Sequence, residues 1–396
     1  MKVKAPERGH QADAHRPATP VARRWLRRLL LVAGGLAAGL LLAEAIGRTD
    51  GLVRGNDLVF SAPMSYPKDI YVQDGPMTYP NPNFTGTIQS FGYSVTPHFS
   101  SWGTRGAEPV NDARTWIVVG DSFTIGLQVD DGETFSARLA ENLGIQVLNA
   151  GVDGYSTWRE AIRTVQLGRH FPPEVVVAVF FTGNDFFDNR QEPPLTLDVP
   201  GLGPGEPGAP AFALPKVGIG IHTPYWLRVL RDRSVLAAHY WAWHETRRVR
   251  RGRDPNARRF REELGIFTVE GRARAAADEP ATTQALASFR EACRLVGARP
   301  LVAVVPPAFV MDDATARRTF ASVGLEKVTP DLDGAQTAAL AAAAAAGVRS
   351  CDLLPPLRQA ARRGDRPFLP FDGHLTVEGH RVAAAAIEAC AAIPGG

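Results

Sequence analysis

From residue 115 to the C-terminus, short runs rich in β-branched residues alternate with stretches of helical character, and this alternation constrains the fold more than any other feature. The runs are 115–119 (TWIVV), 145–149 (IQVLN), 175–181 (VVVAVFF), 300–305 (PLVAVV) and 347–352 (GVRSCD). They read as continuous apolar segments rather than alternating ones, as strands covered on both faces do. Helices are expected near 133–143, 157–169, 282–297, 334–346 and 378–390, with the alanine-rich 338–346 the strongest intrinsic helix former. Repeated strand–helix units of this kind build a parallel sheet with helices packed on it, so the expected class is α/β with a five-stranded parallel sheet.

Ahead of this domain lies a different kind of segment. Residues 29–43 (LLLVAGGLAAGLLLA) are uncharged and apolar, and the run extends to Ile46 if Glu44 is tolerated at the interface. That length is short for a spanning helix and long for a signal core. Arg23, Arg24, Arg27 and Arg28 immediately precede it, which keeps the N-terminus cytoplasmic and sends the remainder across the membrane. Ala43-Glu44-Ala45 has the small-x-small form of a cleavage site, so a removed signal peptide competes with an uncleaved anchor. The long basic lead-in of residues 1–28 favours the anchor, a single pass at the inner (cytoplasmic) membrane with the rest of the chain periplasmic. Gly35-x-x-x-Gly39 also permits close helix approach, although small residues are abundant throughout the run.

The expected organisation is thus a basic cytoplasmic leader (1–28), a transmembrane or signal-anchor helix (29–46), an irregular extension (50–114) packed on the core, and the α/β domain (115–394) with an insertion at 186–281. The extension is rich in Pro, Gly, Tyr and Phe without helical period. The insertion begins as loop through Gly203-Pro204-Gly205-Glu206-Pro207-Gly208. It then turns amphipathic and helical around 224–248, with Trp226, Leu230, Tyr240 and Trp243, as a lid or substrate-binding subdomain would.

Charge and cysteine usage exclude several classes. The formal charge is +3, but residues 1–28 hold eight Lys or Arg against Glu7 and Asp13, so the remainder is net negative. A nucleic-acid binder spreads its basic stripe over the folded domain, and this chain does not. Residues 247–261 are arginine-rich and would attract an anionic polymer or a membrane surface. A solvated helical face is the commoner explanation for such a run. Cys293, Cys351 and Cys390 lie far apart without C-x-x-C spacing, so no zinc site or redox dithiol is expected; free buried thiols are preferred, with one disulfide open to an exported domain. No H-E-x-x-H, Walker A or dinucleotide fingerprint is present, and no metal or organic cofactor is expected.

Several polar residues collect at the carboxyl ends of the expected strands, where ligands bind in open α/β sheets. Ser122 follows the first strand in Gly120-Asp121-Ser122. Gly154 follows the second, in Asn149-Ala150-Gly151-Val152-Asp153-Gly154, and Asn184 follows the third, in Gly183-Asn184-Asp185. Turn chemistry accounts for each of these alone. After the fifth strand comes Asp372-Gly373-His374, just before the last helix. A neutral imidazole there can take a serine proton and return it to a leaving group while a carboxylate fixes its tautomer. Thr376 and Glu378 are better caps for that helix than His374. The one rival histidine, His380, sits at a helical position that favours a structural role. Turn residues alone would fall at both ends of the sheet, whereas these share one end.

In this order the motifs resemble the blocks of the SGNH/GDSL hydrolase superfamily over roughly residues 100–190 and 283–394. The resemblance implies a three-layer α/β/α, flavodoxin-like fold, Ser122 as nucleophile, His374 as base and Asp372 as its orienting acid. It further implies an oxyanion hole from the Ser122 N–H, the Gly154 N–H and Asn184. The sequence departs from the usual D-x-x-H spacing in having D-x-H, and Gly151 stands as a second candidate for the glycine of block two. The segment from Tyr79 to Gly106 is similar to one preceding the first block in exported bacterial members and is assigned to the catalytic domain.

The expected activity is serine-dependent acyl-ester chemistry through a covalent acyl-enzyme. The expected substrates are acylated carbohydrates or other esters, acetyl groups of envelope or secreted polysaccharide foremost. An O-acyltransferase would use the same residues, since water or a sugar hydroxyl can resolve the acyl-enzyme. A non-catalytic polysaccharide-binding or assembly scaffold is the other class, and it requires that Ser122 and His374 lie beyond hydrogen-bond reach.

Overall fold

The computed structural model describes residues 20–48, 67, 69–75, 77–90, 92–192, 194–197, 216–217, 233–253, 257–370 and 372–392. The leader before Pro20, residues 50–66 of the extension, and the 203–208 loop with Trp226 and Leu230 lie outside them.

Two units are separable, Met1–Leu52 and Val53–Gly396. The first contains α1 (Pro20–Gly47), a continuous helix that passes through the Ala43-Glu44-Ala45 triplet. Within its span Arg24–Gly47 an 18-residue window has a mean hydropathy of 2.2, long and apolar enough to cross a membrane, and its leucines are exposed along the whole length.

The second unit is built on a parallel sheet of β5 (Thr115–Gly120), β6 (Gln146–Asn149), β7 (Val175–Phe181), β9 (Arg299–Val305) and β10 (Arg349–Asp352). The spatial order is β10-β9-β7-β5-β6, every pair parallel. Renumbered within the domain this is the 2-1-3-4-5 order of flavodoxin-like sheets. β5 is buried at every residue and β7 at all but its last, as the continuous apolar runs require.

Helices cover both faces. One core cluster joins Ile117, Val119, Val176 and Val304 to α4 (Thr157–His170), α8 (Arg272–Leu295) and α10 (Gly334–Ala345). The other joins Val118, Val177 and Ala303 to α3 (Phe135–Leu143), α11 (Leu354–Arg362) and α12 (Val377–Ala392). Side chains that alternate along each strand feed the two clusters, which makes the three-layer sandwich. Five helices thus lie where the sequence places them, except that α8 begins at Arg272 and carries Pro280 inside it.

Further helices lie outside the expected set: α2 (Ser122–Ile125), α5 (Asp185–Gln191), α9 (Asp313–Ser322) and α11, while α7 (Ala257–Gly265) overlaps the arginine-rich run read as a helical face. In the insertion, α6 (Val235–Arg250) overlaps the expected amphipathic helix. The extension is less irregular than its composition suggests. It pairs β1 (Tyr71–Asp74) with β2 (Met77–Pro80) and with β8 (Lys216–Val217), and β3 (Ile88–Ser90) with β4 (Tyr93–Val95). Ile70, Tyr71, Tyr79 and Ile88 of the extension share a buried cluster with Ile125, Val152 and Tyr155 of the sheet's loops. Arg105 is buried within it, pairing with Asp131 at 2.9 Å and donating to the Ile125 carbonyl at 2.7 Å, which fixes the chain that follows Ser122.

The preference for free thiols is corrected. Cys351 of β10 and Cys390 of α12 form a disulfide, and only Cys293, a buried residue of α8, is free. Spacing of 39 residues carries no motif; the pairing arises because α12 packs back across the edge strand.

Candidate active site

β5 ends at Gly120, and the chain bends at once into α2. Gly120 has a φ of +157°, and a Cβ there would lie 2.1 Å from Thr124 Oγ1, so the bend admits only glycine. Asp121 caps α2 by accepting from the Phe123 N–H at 2.9 Å. Ser122 is thereby the first helical residue, at the carboxyl edge of a central strand.

The other half of the pair comes from the chain between α11 and α12. This loop is closed by Leu369 N–H on the His374 carbonyl at 2.8 Å and by Gly373 N–H on the Leu369 carbonyl at 2.9 Å. It brings His374 Nε2 to 2.8 Å from Ser122 Oγ, across 252 residues of sequence. His374 Nδ1 faces Asp372 Oδ1, and the His374 N–H also donates to that oxygen at 3.3 Å. With the proton on Nδ1 held by Asp372, Nε2 is left to accept from the serine hydroxyl. The imidazole ring lies 4.7 Å from the Phe123 ring, and Phe123 stacks on Phe181 at 4.0 Å. The separation required of a scaffold is therefore not met.

Electrostatics are consistent with this arrangement. Burial disfavours the charged imidazolium of His374, but Asp372 outweighs it, aided by Asp153 and Asp121, and the His374 pKa is raised. Burial would raise Asp372, yet His374 and the Tyr93 hydroxyl hold it below the usual carboxylate range. Asp121 is pushed up to about 7 by burial, and burial likewise raises Glu160 and Asp185. Asp372 is the carboxylate in contact with the imidazole.

Tyr93 was not legible as a site residue. From β4 its hydroxyl donates to Asp372 Oδ2 at 2.8 Å, so both oxygens of this buried carboxylate are engaged. His380 is structural: it is buried, accepts from the Phe135 N–H at 3.1 Å, and burial depresses its pKa to about 3.

Ser122, Asn184, Asp372 and His374 line one cavity of about 820 Å³; Gly154 does not line it. Gly154 has a φ of +72° and, among the described residues, nothing accepts from its N–H. The Gly151 N–H instead donates to Asn149 Oδ1 at 3.2 Å, which removes it as a free donor. Asn184 stands at the N-terminus of α5 and donates one amide hydrogen to Asp188 at 3.0 Å, leaving the second for a ligand. Asp188 in turn pairs with Arg259 of α7 at 3.0 Å, and Arg259 also bonds Glu263 at 2.6 Å. The arginine-rich run is thus largely engaged: Arg250 meets Glu326, Arg258 meets Glu262, and Arg261 donates to the Val323 and Val249 carbonyls.

A family model for GDSL-like lipases and acylhydrolases matches residues 118–325, more than half of the chain. The chain belongs to the GDSL-like lipase/acylhydrolase family. It is an SGNH-type esterase or acyltransferase. A second model, the SGNH hydrolase-like domain of the acetyltransferase AlgX, matches residues 266–393. Similar solved structures include TesA (14% identity, 70% of this chain and 98% of that one, TM-score 0.35). Others are an extracellular lipase from Streptomyces rimosus (11%, 70% and 100%, 0.35) and an acetylxylan esterase variant from Geobacillus stearothermophilus (11%, 72% and 98%, 0.35). No curated protein sequence matches the chain.

Proposed function

We propose that this GDSL-family chain hydrolyses acyl esters through a covalent intermediate on Ser122, acting on O-acyl groups of envelope or exported polysaccharide. His374 is the base, Asp372 orients it, and Tyr93 orients Asp372. The observation that carries this reading is the 2.8 Å contact between Ser122 Oγ and His374 Nε2, with Asp372 on the opposite ring nitrogen. As Oγ attacks the ester carbonyl, its proton passes to Nε2 and then to the departing alcohol oxygen. The charge that develops on the carbonyl oxygen is met by the Ser122 N–H, the Gly154 N–H and the free amide hydrogen of Asn184. Water activated by His374 then releases the acid.

Transfer to a sugar hydroxyl is the second reading, favoured by the likeness of residues 266–393, which include His374, to the AlgX acetyltransferase domain. The apolar α1 and its arginines support a single-pass anchor with the catalytic unit outside the cytoplasm, and the disulfide fits an oxidising compartment. In that organisation residues 1–28 are cytoplasmic, 29–46 span the membrane, 50–114 pack on the core, and 186–281 interrupt the catalytic domain of 115–394.

The test is to incubate the full-length protein with O-acylated polysaccharide, with and without an unacylated oligosaccharide, and to quantify free acid and acylated oligosaccharide. Free acid released by the wild type and not by Ser122→Ala is expected. Acyl groups recovered only on the oligosaccharide would replace hydrolysis by transfer, and neither product would remove polysaccharide as the substrate.

A further inference from the structure

Asn184 has a second amide hydrogen to offer the cavity only while its nitrogen, and not its oxygen, is turned toward Asp188. The two ends of an amide have nearly the same shape, so packing alone does not choose between them; the hydrogen-bond partner does. An ionised carboxylate can only accept, and Asp188 Oδ2 takes the amide hydrogen at 3.0 Å. A neutral Asp188 could instead donate to the amide oxygen. In that flipped side chain the other lone pair of the oxygen would stand where the free N–H had stood, facing the charge that develops on the ester carbonyl.

The state of Asp188 is contested. Burial pushes its pKa up to about 6, and the Arg259 guanidinium is the foremost influence pulling it down. Arg259 Nη2 lies 3.0 Å from Asp188 Oδ1, the oxygen that Asn184 leaves unused. The guanidinium is itself held in place: Nε donates to Glu263 Oε1 at 2.6 Å one turn further along α7, and its carbon lies 5.0 Å over the Phe187 ring of α5. Arg190 of α5 meets Glu262 of α7 at 3.4 Å. The insertion's α7 is thus fastened to the helix whose N-terminus carries Asn184.

We propose that Arg259, supplied by the insertion, is a positioning residue for the oxyanion hole: it fixes Asp188 as the acceptor that turns the Asn184 N–H toward the carbonyl oxygen under attack. The proposal rests on the reading in which Ser122 attacks and Asn184 meets that oxygen. Arg259 acts through Asp188 and not on the ester, so its loss slows the step in which charge develops and leaves ground-state binding nearly unchanged. The insertion thereby contributes to catalysis as well as to the cavity wall.

The experiment is a double-mutant cycle on kcat and KM for p-nitrophenyl acetate with the full-length protein in lipid nanodiscs, each variant checked for folding by thermal unfolding. Asn184→Ala should lower kcat about a hundredfold or more through loss of one oxyanion donor. Arg259→Ala should lower kcat about tenfold with KM within about twofold of wild type, as a misdirected donor does. The two losses should not add, so the double variant should be no slower than Asn184→Ala alone. Asp188→Asn, which can donate to the amide oxygen, should lose at least as much as Arg259→Ala, and adding Arg259→Ala to it should change kcat by less than about twofold. Arg259→Ala within about twofold of wild type, or its full loss repeated on the Asn184→Ala background, would overturn the inference. Wild-type kcat in Asn184→Ala would remove Asn184 from the oxyanion hole and the inference with it, whereas turnover by Ser122→Ala would refute the nucleophile on which both stand.

Discussion

Replacing Tyr93 by Phe removes one oxygen and keeps the ring, so it isolates the hydrogen bond to Asp372. That carboxylate is buried, and Oδ2 accepts from the Tyr93 hydroxyl while Oδ1 is shared by the ring and backbone of His374. Hydrogen bonds to charged groups contribute about 1.5–3 kcal/mol, and a buried oxygen left without a donor costs its desolvation. Tyr93→Phe should therefore lower the unfolding free energy at neutral pH by about 2 kcal/mol. The sign with pH follows from the depressed Asp372 pKa. Its ionised form contributes stability that is present above the unfolded carboxylate pKa, about 3.9, and is lost as pH falls through the lower folded value. Part of that depression comes from Tyr93, so the variant's deficit should be full above about pH 5 and shrink below about pH 4. For catalysis, a loosened Asp372 misorients the imidazole, and kcat should fall about tenfold with KM little changed, equivalent to about 1.4 kcal/mol. Denaturant unfolding between pH 3 and 8 and ester hydrolysis kinetics measure both. A variant with kcat within twofold of wild type and no loss of stability at pH 7 would refute the reasoning.

Asp372→Asn should lower kcat by roughly three to four orders of magnitude, because the amide holds the wrong tautomer. In the wild type the raised His374 pKa should place the acid limb of kcat/KM above 6.5, with activity rising as pH climbs through it, and steady-state pH profiles read this directly. Reducing the Cys351–Cys390 disulfide should cost about 4 kcal/mol from the entropy of a 39-residue loop, seen as a lower unfolding midpoint. Iodoacetamide should leave all three cysteines unmodified in the native, oxidised protein, since burial raises the Cys293 thiol well above its ordinary pKa; alkylation of Cys351 without reductant would contradict the pairing.

The sheet was legible because its strands are doubly covered and so read as unbroken apolar runs, and because β5, β6 and β7 each end in turn residues suited to their carboxyl edge. Ser122, Asn184, Asp372 and His374 were found by that shared edge and do meet around one cavity. Tyr93 was not, because its contact spans 279 residues and its strand lies in a Pro- and Gly-rich segment without period. Arg259 was hidden in a charge run whose composition suggests solvent, whereas the fold turns it toward Asp188. α11 begins Leu354-Pro355-Pro356, residues that read as a break yet suit a helix's first turn, where no N–H is required. The disulfide depended on how α12 returns to the sheet edge, which no spacing along the chain encodes.

The central claim is that Ser122 is activated by His374. Reaction of the full-length protein with a fluorophosphonate, read by intact mass and peptide mapping against Ser122→Ala and His374→Ala, tests it most directly. The account predicts one adduct, on Ser122, abolished in the first variant and strongly slowed in the second; equal labelling of folded wild type and Ser122→Ala, or none of either, would contradict it.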